Sequence, residues 1–65
     1  MDIYRIKQAA EGWSLYRDNS LRPLHTAHHC QELVALARTL VTARGISLRI
    51  EDEQGFREIR LAPDT

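Results

Sequence analysis

Four short stretches of the chain predict β-strands: the second and third alternate hydrophobic and polar residues, the first is rich in β-branched and aromatic residues, and the fourth follows a hairpin loop. The first stretch runs from Asp2 to Gln8 and the second from Trp13 to Arg17. The other two run from Ile46 to Glu51 and from Phe56 to Leu61. Short turn segments containing Gly12 or Gly55 separate the members of each pair, so we expect two β-hairpins.

Between the two pairs, apolar residues recur at helical spacing and predict one amphipathic helix from about residue 27 to 44. We expect Thr26 to cap its first turn and Gly45 to end it. Leu36 lies outside the apolar stripe, either as a solvated exception or as a partner contact. The predicted core-facing residues of the helix are Cys30, Leu33, Val34, Ala37, Leu40 and Val41.

The element order ββαββ predicts an α+β domain over residues 1–65, with a four-stranded antiparallel sheet and the helix packed on one face. Placing the third strand beside the first gives the spatial order 2-1-3-4, in which we expect all neighbours to be antiparallel. The sequential order 1-2-3-4 would need a parallel central pair and is less favoured. Trp13 shares its phase with Leu15, which indicates a core position for the indole.

Size and charge narrow the classes of function. A chain of 65 residues buries only about 60% of its unfolded surface, enough for one small core. Nine basic residues balance nine acidic ones, which disfavours a globally basic nucleic-acid binder. A single cysteine cannot form an internal disulfide. No long apolar run or signal-peptide pattern occurs, so we expect a cytoplasmic protein with no membrane contact.

Three stretches carry a resemblance to a known family: GWSLYR, then ELVALARTLVTARG, then ISLRIEDEQG followed by a charged strand. This layout resembles that of small bacterial proteins of unknown function, the DUF2188 type, over most of the chain. The resemblance implies the same fold but no activity, because the family has no assigned chemistry. The chain departs from the pattern by its longer first loop, its histidine cluster and its longer acidic turn.

The histidine cluster supports two interpretations. Six positions hold three histidines and the single cysteine, namely His25, His28, His29 and Cys30. A metal site, however, needs three or four convergent ligands. Adjacent side chains on a helix point about 100° apart, so we favour a loop-to-helix junction with Cys30 as a small core residue. Metal binding by His25, His28 and His29 is the weaker alternative. A buried thiol and the lack of catalytic motifs indicate no enzyme and no cofactor.

The sheet face without the helix is the best candidate surface, although a solvated face with Arg49 paired to Glu58 is the simplest reading. We predict a protein partner or a homodimer there. A nucleic-acid-binding face using Arg5, Lys7, Tyr16, Arg49 and Arg60 is the alternative. A one-residue slip would bury Ile3 and Phe56 instead. By alternation the face carries Ile3, Arg5, Lys7, Ser14, Tyr16, Ser47, Arg49, Glu51, Phe56, Glu58 and Arg60, with a net charge of +2.

Overall fold

A computed structural model describes residues 2–62, which form one mixed sheet with a single short helix on one face. The α+β class is confirmed, but the sheet has five strands rather than four. The strand order is β3-β2-β1-β4-β5. The elements in chain order are β1 (Asp2–Ala9), β2 (Gly12–Arg17), β3 (His25–Ala27), α1 (Cys30–Thr39), β4 (Ile46–Asp52) and β5 (Gly55–Leu61).

The central pair of strands is parallel, so the prediction of a four-stranded antiparallel sheet is wrong. The strand after the helix does lie beside β1, and Ile6 stands opposite Ile50. Its direction is reversed because β3 adds one more pass of the chain along β2 before α1 begins. The helix then returns the chain across the sheet, and β4 starts at the same end as β1. A crossover through a helix is the usual way to join parallel strands of one sheet.

The two hairpins have the expected antiparallel pairing. Ile6 lies opposite Leu15 in the first hairpin, and Leu48 lies opposite Ile59 in the second. All four of these side chains point to the side of the sheet that α1 covers, because paired residues share a face. The alternation read from the sequence therefore places the strands in the correct phase.

The core lies between α1 and this covered side of the sheet. Ile6, Leu15 and Leu33 are fully buried. Trp13 and Leu36 are half-buried and pack against the core, so Leu36 is part of the packing rather than a solvated exception. The buried hydrophobic residues are Tyr4, Ile6, Leu15, Leu33, Ala37, Ile46, Leu48, Ile50 and Leu61.

The helix is shorter than its apolar stripe suggests. The helix begins at Cys30, because residues 25–27 belong to β3, and its N-cap is His29 rather than Thr26.

The helix ends at Thr39, and the Leu40 amide donates to the Ala37 carbonyl. Leu40 and Val41 continue the stripe from the loop and still pack against the core. No helix within residues 2–62 is long and apolar enough to cross a membrane.

Candidate functional site

The side of the sheet opposite α1, here called the open face, carries every residue predicted for it. Arg5 lies opposite both Tyr16 and Arg49, and Arg49 lies opposite Glu58. Because paired residues share a face, these register positions fix the phase of four strands. The slip that would bury Phe56 does not occur, since this residue is 71% exposed.

One row of side chains crosses the open face from β2 to β5 and consists of Tyr16, Arg5, Arg49 and Glu58. The guanidinium carbon of Arg5 lies 5.7 Å from the centre of the Tyr16 ring, within the range of a cation–π contact. Its Nη2 donates to the Ser20 carbonyl at 3.5 Å. Its Nε is buried and has no hydrogen-bond partner. Arg5 is thus held in place, with one N–H group unsatisfied.

Arg5 and Arg49 are like charges directly opposite each other on the two central strands. Neither forms an ion pair within residues 2–62. Lys7 differs, because its Nζ lies 3.8 Å from Glu51 Oε2 in the neighbouring strand. Opposed like charges destabilise a sheet unless an anion lies between them. The two arginines are therefore the part of the open face with unused capacity for an anion.

Glu58 is engaged by other partners. The Ser47 hydroxyl donates to Glu58 Oε1 at 2.6 Å, and Arg60 Nε lies 3.8 Å from the same oxygen. The Ser47 hydrogen bond lowers the pKa of Glu58; desolvation opposes the shift, and Arg60 and Arg49 reinforce it. Arg49 lies opposite Glu58 in register as predicted, but the ion pair of Glu58 is with Arg60.

The lowered pKa of Glu58 predicts that its contribution to stability depends on pH. A carboxylate whose folded pKa lies below its unfolded value of about 4.3 stabilises the fold above that value. This contribution is lost as the pH falls through the folded pKa. We expect Glu58→Gln to reduce the free energy of unfolding at about pH 7 and to have a steadily smaller effect as the pH falls below the unfolded value of about 4.3. Urea unfolding of both proteins across this range is the measurement.

A matched variant identifies the source of this pH dependence. Ser47→Ala removes the hydroxyl that donates to Glu58, so it should raise the pKa of Glu58 towards its ordinary value. The stability difference between Ser47→Ala and the double variant Ser47→Ala/Glu58→Gln should then vary less with pH. If the effect of Glu58→Gln does not vary with pH, or if Ser47→Ala leaves its pH dependence unchanged, the Ser47–Glu58 hydrogen bond does not lower the pKa of Glu58.

The histidine cluster is spread over a strand, a link and a helix cap. His25 lies on β3 opposite Leu15, and His29 is the N-cap of α1, where its amide donates to Glu32 Oε2 at 3.3 Å. All three imidazoles are exposed. Cys30 is half-buried, and burial raises the pKa of its thiol. Among residues 2–62, no three His, Cys, Asp or Glu side chains come together as a ligand set.

Two contributors to the open face escaped the sequence interpretation. Ser20 reaches Arg5 because Asn19 takes a left-handed conformation with φ 71°, which asparagine tolerates better than most residues. Thr26 joins the face because β3 pairs it with Ser14. The triplet Asp18-Asn19-Ser20 indicates a turn, but it does not indicate that the turn contacts Arg5. The HTA triplet is too short to predict a strand.

Comparison of the chain with known protein families, with curated proteins and with solved structures found no match in any of the three. The resemblance to the DUF2188 type stays a prediction, and a function has to be inferred from the geometry of the chain itself.

Proposed function

We propose that the protein is a non-catalytic interaction module whose open face binds an acidic segment of a protein partner. The observation that carries this proposal is the opposed pair Arg5 and Arg49, neither of which forms an ion pair within residues 2–62. A guanidinium group offers two parallel N–H donors that match a carboxylate. A glutamate or aspartate side chain between the two arginines would relieve their repulsion.

The charge of the open face favours a different protein over a second copy as the occupant. The open face has a net charge of +2, while the whole chain is neutral. Its basic residues are Arg5, Lys7, Arg49 and Arg60, and its acidic residues are Glu51 and Glu58. Two copies stacked face to face would bring the same sign of charge together. An acidic partner has the complementary potential, which speeds association and disfavours wrong partners.

Single-stranded nucleic acid is the second candidate, and the exposed aromatic residues favour it. Phe56 is 71% exposed at one side of the face, and Tyr16 lies beside Arg5 on the other. Aromatic rings next to cations are typical of surfaces on which bases stack. Glu51 and Glu58 interrupt the cations, however, and would repel a continuous line of phosphates. We therefore place the acidic protein segment first.

Arg49→Gln should weaken binding of an acidic peptide by roughly tenfold or more, because it removes one of the two opposed guanidinium groups. The probe is a fluorescein-labelled peptide of alternating glutamate and alanine, followed by fluorescence anisotropy at low and moderate salt. Arg38→Gln is the matched control: it makes the same change in charge on exposed helix surface. We expect less than about a twofold effect from it.

A mixed-sequence single-stranded oligonucleotide, measured in parallel, separates the two candidates. Tighter binding of the oligonucleotide than of the peptide, with a steep fall as salt rises, would transfer the function to nucleic acid. Failure of both probes, or equal losses in Arg49→Gln and Arg38→Gln, would contradict an anion-binding role for the open face.

A further inference from the structure

The outer edge of β5 is the longer of the two edges of the sheet. β5 ends the strand order and runs from Gly55 to Leu61, whereas the opposite edge strand, β3, has three residues. No other strand within residues 2–62 pairs with the outer side of β5. Such an edge presents a row of N–H and C=O groups that can accept another strand. The side chains of β5 show which strand would fit.

The charges of β5 are self-complementary in one antiparallel register only. Suppose that two copies pair their β5 strands about a twofold axis. Their open faces lie on the same side of the joined sheet only if one residue of β5 stands opposite the same residue of the second copy, so that the axis passes through that pair. An axis through Glu58 would oppose two carboxylates, and an axis through Arg60 would oppose two guanidinium groups. An axis through Ile59 places Glu58 opposite Arg60 of the second copy, twice. Opposite charges in directly opposed positions stabilise a sheet.

The same register suits the other side of β5. Ile59 is half-buried and packs against the core, and it would meet Ile59 of the second copy. Arg57 would lie beside Leu61, where its aliphatic stem can cover apolar surface while the guanidinium group stays in water. The charged pairs lie on the open face and the apolar pair on the helix side, so both sides of the joined strands are matched.

We propose that β5 pairs with β5 of a second copy in the antiparallel register centred on Ile59, so that two five-stranded sheets become one continuous sheet. The twofold axis stands perpendicular to the sheet, and the two open faces therefore lie side by side. Self-association then uses the edge, and the open faces stay free. The contact is small, so we expect a dissociation constant roughly in the micromolar to sub-millimolar range.

Charge reversal tests the register. Glu58→Arg and Arg60→Glu should each be monomeric or dimerise roughly tenfold more weakly, because each sets like charges opposite each other. An equimolar mixture of the two variants should form a heterodimer, because both opposed pairs become complementary again. Sedimentation equilibrium of each variant, of the mixture and of the unaltered protein measures all four cases. Glu53→Arg, in the exposed turn before β5, is the control and should dimerise normally.

Glu58→Arg also removes the hydrogen bond from Ser47, so far-UV circular dichroism checks that both single variants fold. An unaltered protein that remains monomeric at about 1 mM would overturn the proposal. So would a dimer that both charge reversals leave unchanged, or folded monomeric variants that fail to associate when mixed. The result is independent of peptide binding, because the probe for the open face is absent from these experiments.

Discussion

Leu15→Ala should remove about 2–5 kcal/mol from the free energy of unfolding. Leu15 is fully buried at the centre of β2, opposite Ile6 and under α1. Its removal leaves a cavity that the sheet cannot close, because the neighbouring strands hold the backbone in place. A domain of 65 residues has roughly 3–10 kcal/mol of stability in total. The variant should therefore lose about half of that stability.

Urea unfolding followed by the fluorescence of Trp13 measures this loss, since the indole packs against the core. Leu21→Ala is a chemically identical control, because Leu21 is 95% exposed in the loop after β2. We expect the control to change stability by less than about 0.5 kcal/mol. Similar midpoints for the two variants would show that Leu15 is not the centre of the core.

Gly12→Ala should destabilise the protein by about 3 kcal/mol or more, for two separate reasons. Gly12 has φ 146°, a backbone conformation that residues with a side chain rarely adopt. A Cβ atom there would also lie 2.5 Å from the Ala27 carbonyl oxygen. That oxygen belongs to the backbone of β3, so the whole short strand would have to move away from β2.

Gly55→Ala separates the two effects. Gly55 has a similar conformation, with φ 131°, but no atom lies within 4 Å of an added Cβ. We expect this variant to lose only the conformational part, about 1–3 kcal/mol. Hydrogen exchange at the amides of β3 should rise in Gly12→Ala and not in Gly55→Ala. Equal losses of stability with unchanged exchange in β3 would contradict the close approach of Gly12 and Ala27.

The open face could be predicted from the sequence because strand alternation is a local signal. Apolar residues such as Ile46, Leu48 and Ile50 mark the covered side, and every second position between them is then assigned to the other side. The phase holds across hairpins, since short turns fix the register. Arg5 and Arg49 were thus identified as members of one face, although their position directly opposite each other depends on a pairing between distant strands.

The parallel pairing could not be predicted, because it depends on the three residues His25–Ala27. Histidine, threonine and alanine do not alternate in hydrophobicity, and β3 is held mainly by β2 and α1. One unrecognised strand changes the direction of every later element. The predicted helix is longer than the observed one for a related reason: Leu40 and Val41 keep helical spacing but reach the core from a loop.

The pairing of β1 with β4 also has a consequence for the synthesis of the chain. β1 and β4 come from opposite halves of the described residues, with Asp2 beside Ile46 and Ile6 beside Ile50. Before the ribosome has made β4, the described elements already present are β1, β2, β3 and α1, and Ile6 lacks its neighbour on one side. Contacts between distant parts of a chain form slowly, because a long loop must close first. The nascent protein therefore exposes the edge of β1 until β4 has emerged, and this interval is when it is most open to aggregation or to chaperones.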